Sequence, residues 1–165
     1  MCYTSVQIQL NMLKEGFFKV IPRHSLYGIS SDELEQLICG KPEIDLDDWQ
    51  KHTNYNKPYD QNHKVIKWFW KAMSEYTQPQ RSIFIQFCTG TNRIPIGGFA
   101  MLESNRGEYA KFTIYAMPYH AKESPYPNAQ TCFNRLILPI YPSYKELKQQ
   151  LDFIINNEVT GFGID

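Results

Sequence analysis

Thr131-Cys132-Phe133-Asn134-Arg135-Leu136-Ile137-Leu138 is the stretch whose reading decides this 165-residue chain. Its apolar run reads as a strand with a cysteine at its opening. Pro139 and Tyr141 follow, then Ser143 and Glu146 at the spacing of a helix capping box. Leu147, Leu151, Ile154 and Ile155 form one helical stripe, and the chain closes on Gly161-Phe162-Gly163-Ile164-Asp165. On residue type alone Cys132 reads first as a small buried strand residue, because free cysteines are mostly buried, and only second as a nucleophile.

Working outward, composition narrows the classes. The chain is 42% hydrophobic and 15% aromatic, enough for one sizeable core with a smaller appendage. Lys plus Arg and Asp plus Glu each number 17, so no basic excess points to nucleic acid or an anionic membrane. Apolar runs such as Ile83-Phe84-Ile85 fall far short of the roughly 20 residues that span a bilayer. Cys2, Cys39, Cys88 and Cys132 are irregularly spaced, and none pairs with His24, His52, His63 or His120 at ligand spacing. The expectation is reduced thiols in a cytoplasmic or nuclear protein, with no metal and no cofactor. Gly90-Thr91 and Gly97-Gly98 make no phosphate-binding pattern and read as tight turns. Asp45, Asp47 and Asp48 read as an acidic first helical turn rather than a cation site.

The secondary-structure pattern is helix-rich at first and strand-rich later, an α+β arrangement. Val6, Leu10, Leu13 and Phe17 lie on one helical face, ended by Gly16 and Pro22. Ser30 and Glu33 form a capping box for a helix with Leu34, Leu37 and Ile38, stopped by Cys39-Gly40-Lys41-Pro42, the candidate hinge. Asp45 to His52 reads as a short helix with Trp49 inward, and Asn54 to Asn62 as a polar loop. His63 to Tyr76 reads as a central helix, with Trp68-Phe69-Trp70 in the core. A helix capped by Thr77 and Gln80 runs to about Thr89, and Cys39 and Cys88 are expected to be buried. Gly97 to Leu102, Lys111 to Met117 and Thr131 to Leu138 read as strands, with Pro118 to Asn128 a loop.

In order and at consistent intervals, several of these segments resemble the HECT-type ubiquitin ligases. They are Gly16-Phe17-Phe18 before Val20-Ile21-Pro22; Leu37-Ile38-Cys39-Gly40; Ile44-Asp45-Leu46-Asp47-Asp48-Trp49 before Thr53-Asn54-Tyr55; and Trp68-Phe69-Trp70. Further on come Gln86-Phe87-Cys88-Thr89-Gly90-Thr91, Gly98-Phe99-Ala100, Thr131 to Leu138, and Gly161-Phe162-Gly163. The resemblance implies a small helical N-terminal fragment hinged to an α/β lobe. Residues 1–40 would be the end of the family's N-terminal lobe, 41–43 the hinge, and 44–165 the C-terminal catalytic lobe. It also implies that the segment docking the conjugating enzyme lies upstream of Met1. The chain by itself is then expected to lack full activity, and residues 1–40 to be its least stable part.

The resemblance further implies chemistry. Cys132 would take ubiquitin from a ubiquitin-conjugating enzyme as a thioester and pass it to a substrate lysine. Thiols are intrinsically nucleophilic, so thiol-to-thiol exchange asks for exposure, orientation and oxyanion stabilisation more than for a strong base. Thr131, with nearby backbone N–H groups, is a candidate to orient the carbonyl, and Asn134 is a candidate positioning residue. A lysine of pKa about 10.4 must then lose a proton, for which Asp165 is a candidate carboxylate. Phe162 matches the family's aromatic that anchors the ligating lobe. Gln130 stands where the family commonly has histidine; it can hydrogen-bond but cannot accept a proton at neutral pH. Two other classes remain: a non-catalytic module that binds ubiquitin or a ligase, and a cysteine hydrolase pairing Cys132 with His120.

Overall fold

The computed structural model describes residues 2–120 and 125–158. Two compact units divide at residues 35 and 36.

The first unit holds α1, Cys2–Val20, a single 3-10 turn at Arg23–Leu26 and the start of α2, Ser31–Cys39. Helix α1 continues through Gly16 to Val20, so that glycine does not terminate it as expected. Phe17 and Phe18 meet edge-to-face at 5.4 Å, and the Arg23 guanidinium stacks over Phe18. The rest of the α1 apolar stripe is exposed, Val6 by 60% and Leu13 by 69%. The capping box forms: Ser30 N–H donates to the Glu33 carboxylate at 2.8 Å, and Glu33 N–H donates to Ser30 Oγ at 3.2 Å.

The second unit is a helical layer packed with a four-stranded mixed sheet. Its elements are α3 (Leu46–Lys51), β1 (Asn54–Tyr55), α4 (Lys64–Glu75), α5 (Gln78–Thr89), β2 (Thr113–Met117), β3 (Asn128–Gln130), β4 (Arg135–Pro139) and α6 (Tyr144–Glu158). Spatial order is β1-β2-β4-β3; β1 and β4 run parallel to β2, and β3 runs antiparallel to β4. Ile114, Leu136 and Leu138 alternate inward and join Val65, Phe69, Phe84, Leu147 and Leu151 in one core.

Trp49 fills the centre of this core, fully buried and stacked on Phe99 at 5.3 Å, with Trp70 and Phe112 edge-on. Asp45 caps α3 by accepting from the N–H groups of Asp47 and Asp48. Asp48 in turn accepts from Phe99 N–H at 2.8 Å, tying α3 to the Gly97-Gly98 turn. At α6, Ser143 Oγ accepts from Glu146 N–H, and the Tyr119 hydroxyl donates to the Glu146 carboxylate.

Several expectations are corrected. Gly97 to Leu102 is not a strand but a turn followed by a 3-10 helix, Phe99–Met101; Gly98 has φ +82°, which breaks any strand. The polar loop after α3 begins as β1, and the loop before Thr131 ends as β3. Cys39 is exposed, while Cys88 is buried as expected. Trp68 is only partly buried, its ring covered by the Lys64 side chain.

Candidate active site

Strands β3 and β4 form a hairpin in the register Gln130↔Arg135, and Cys132 sits at its tip. The expected strand from Thr131 is therefore wrong at its start: Thr131–Phe133 is one 3-10 turn, and the strand begins at Arg135. Asn134 is the reason. It adopts the left-handed conformation, φ 52° and ψ 46°, which asparagine tolerates better than most residues, and its N–H closes the turn on Thr131 O at 3.3 Å. The tip leaves the Cys132 thiol exposed.

Asn134 is itself 2% exposed, and its side chain bonds to main-chain carbonyls. Its side-chain amide donates both hydrogens, to Glu103 O at 2.9 Å and Ala110 O at 2.8 Å, and its backbone carbonyl accepts from Thr113 N–H. These bonds fasten the two ends of the 103–110 loop beneath the hairpin tip. The same loop then reaches the cysteine: Asn105 N–H donates to Cys132 O at 3.3 Å. From the other side comes the C-terminus of α5. Gly90, at φ +79°, lies so close that a Cβ there would stand 3.8 Å from Thr131 Cβ.

The result is a shallow cavity of about 200 Å³ walled by Thr89, Glu103, Ser104, Asn105, Thr131 and Cys132. A wider groove of about 600 Å³ shares Thr89 and Glu103 with it and continues past Met101, Ile96 and Leu37. Of the residues expected at the site, Cys132 and Thr131 line this cavity and Asn134 supports it from below. Gln130 is exposed at the end of β3. Phe162 and Asp165 lie outside the described residues. Glu103 was missed because nothing local marks it; it reaches the site through bonds spanning 31 residues.

His120 does not come to Cys132. It follows the end of β2, whereas Cys132 precedes the start of β4, and the two strands run parallel. The pair therefore sits at opposite ends of the sheet, about 16 Å of strand apart. Arg135 lies beside the tip with its guanidinium over the rings of Phe133 and Tyr115, at 4.7 and 5.2 Å. No group of three or more His, Cys, Asp or Glu side chains able to hold a metal occurs among the described residues.

An exposed thiol on a doubly braced hairpin, beside an open cavity, is suited to thiol exchange. The sequence matches the model of the HECT-domain (ubiquitin-transferase) family over residues 1–165. The chain belongs to the HECT-domain family. It is 41% identical over 160 residues to the E3 ubiquitin-protein ligase NEDD4 of Homo sapiens, a match covering 97% of this chain and 12% of that protein. It is 42% identical over 158 residues to the E3 ubiquitin-protein ligase pub1 of Schizosaccharomyces pombe, covering 96% of this chain and 20% of the relative. With the E3 ubiquitin-protein ligase HACE1 of Gallus gallus the identity is 42% over 147 residues, 89% of this chain and 15% of that protein. The chain thus spans between an eighth and a fifth of these relatives, and this HECT chain carries the α+β architecture described above.

Proposed function

We propose that the chain transfers ubiquitin, accepting it from a ubiquitin-conjugating enzyme as a thioester on Cys132 and passing it to a lysine of a protein substrate. The observation that carries this is the exposed Cys132 thiol at the braced tip of the β3–β4 hairpin, in a chain of the HECT family. In the first step the Cys132 sulfur attacks the carbonyl of the incoming thioester. The conjugating enzyme's thiolate leaves, so one C–S bond replaces another. Exposure admits the extended C-terminal tail of ubiquitin, and the fixed turn holds the sulfur in one orientation.

Thr131, beside the thiol, orients the carbonyl with the local backbone N–H groups, and Gln130 serves at the edge by hydrogen bonding rather than by proton transfer. In the second step the acceptor amine displaces Cys132. Asp165 assists deprotonation, and Phe162 anchors the lobe for that step with about 1.5–3 kcal/mol of apolar burial. Residues 41–43 form the hinge between the end of an N-terminal lobe, 1–40, and the catalytic lobe, 44–165. The setting is cytoplasmic or nuclear. No described helix is long and apolar enough to cross a membrane.

The test is a non-reducing gel of the chain with activating enzyme, conjugating enzyme and labelled ubiquitin. A thiol-sensitive adduct that disappears in Cys132→Ala supports the reading. Binding of ubiquitin with no such adduct would replace it with a non-catalytic module.

A further inference from the structure

We propose that Glu103 is the acceptor-binding carboxylate of this site, holding the incoming lysine ammonium beside the thioester and taking its proton during attack; the proposal rests on the thioester reading above. Glu103 shares the 200 Å³ cavity with Cys132 and Thr131. Its backbone position is set by the bond from the buried Asn134 amide, the same residue whose N–H closes the turn carrying the cysteine. One residue, through its side chain and its backbone N–H, thus holds the carboxylate-bearing and thiol-bearing segments in a common frame. The 103–110 loop is kept tight by its own bonds, Ser104 N–H to Glu108 O at 2.7 Å and Ala110 N–H to Leu102 O at 2.8 Å. Among the described residues the Glu103 carboxylate has no ion pair and no hydrogen bond, so it is available to a cation.

A second feature of the cavity has the same sign. Thr89, the last residue of the 12-residue helix α5, forms part of its wall. A helix C-terminus presents roughly half a negative charge, which favours a cation within its last turn and disfavours an anion. A cavity with a carboxylate and a helix C-terminus suits an ammonium. That arrangement fits the second step, in which sulfur is acylated and neutral and the arriving group is positive.

The lysine ammonium gives one proton to solvent, the loss that the Asp165 carboxylate assists, and its nitrogen lone pair forms the C–N bond to the terminal carbonyl of ubiquitin. The second proton passes from nitrogen to the Glu103 carboxylate. The C–S bond breaks with its electron pair on Cys132 sulfur, which is reprotonated, and Glu103 returns its proton to solvent.

The experiment loads the chain with ubiquitin bearing a C-terminal small-thiol thioester, which needs no conjugating enzyme, and follows single-turnover discharge to free lysine and to hydroxylamine. Hydroxylamine is uncharged at neutral pH and requires no carboxylate to bind or deprotonate it. In Glu103→Gln, loading and hydroxylamine discharge are expected to stay within about twofold of the unaltered chain, while lysine discharge falls about tenfold or more, through a raised half-saturating lysine concentration, a lowered maximal rate, or both. Glu103→Asp should recover part of the lost rate. Unchanged lysine discharge in Glu103→Gln overturns the assignment of Glu103 alone, as does an equal fall with both nucleophiles, which would make the residue merely structural. Failure of the unaltered chain to load overturns the thioester reading and this inference together.

Discussion

The Asn134 side-chain amide donates to Glu103 O at 2.9 Å while the Asn134 backbone N–H donates to Thr131 O at 3.3 Å. One residue therefore ties the turn that presents Cys132 to the loop that walls its cavity. The cost of breaking this link is calculable in kind, because the amide satisfies two main-chain carbonyls and the backbone is left-handed. Asn134→Ala should destabilise the fold by about 1–3 kcal/mol, from carbonyls left without donors and from alanine's dislike of positive φ. Asn134→Gly should relieve the backbone part only. Denaturant midpoints of the two variants check this, and Asn134→Gly being as stable as the unaltered chain would show that the side-chain bonds contribute nothing.

Thiol exposure gives a second expectation. Cys132 is exposed on the hairpin tip and Cys39 is exposed on α2, whereas Cys88 is fully buried in α5. A brief treatment of the native chain with a neutral alkylating reagent should modify Cys132 and Cys39 and spare Cys88. Modification of Cys88 should appear only with denaturant. Peptide mass spectrometry reads the order, and early labelling of Cys88 would contradict the packing of α5.

Gly40 sits against Ile94 as closely as backbone allows. Its φ is +83°, and a Cβ there would stand 2.4 Å from Ile94 O, next to the pair of bonds joining Lys41 and Ile94. Gly40→Ala must push that bridge apart and strain the backbone, with an expected loss of about 1–3 kcal/mol. Faster hydrogen exchange at the Lys41 and Ile94 amides, with the α4 amides unchanged, is the signature of a local effect.

Alkaline pH should unfold the second unit through its tyrosines. Burial raises the Tyr59 and Tyr141 hydroxyls well above the ordinary value of 10. Burial, aided by the bond to Asp152, raises Tyr76, and burial with the bond to Glu75 brings Tyr144 to about 12. A folded-state value above the unfolded one means that the folded chain holds its proton longer. The associated stability is fully present below pH about 10 and is lost as pH climbs through 10 to 12 and beyond. Tyrosinate absorbance should therefore rise together with loss of helical circular dichroism. Ionisation of all tyrosines near pH 10 with the helices intact would refute the burial of Tyr59, Tyr76 and Tyr141.

The pattern of success and error along the chain has a physical cause. Helices α4, α5 and α6 were legible because their signals are local: apolar stripes at helical spacing, a cap at Thr77 or Ser143, and Gly90 at the end of α5. Gly97 to Leu102 was misread because its apolar residues suit a strand, yet Asp48, some fifty positions earlier, captures the Phe99 N–H and fixes the turn. The Leu37 and Ile38 side chains show the limit of amphipathic reading in another way. Their spacing marks a helix face, but both are exposed on the wall of the wide groove.

Sequence alone determined which family the chain belongs to, where its main helices lie, and which cysteine to single out, since these depend on residue type and on spacing within a turn or two. The tertiary structure decided that Cys132 stands on a hairpin tip rather than in a strand, that His120 lies at the far end of the sheet, and that Glu103 joins the cavity. Those outcomes depend on hydrogen bonds and strand register between residues distant in the chain, such as Asn134 with Glu103, and no local pattern encodes such a pairing.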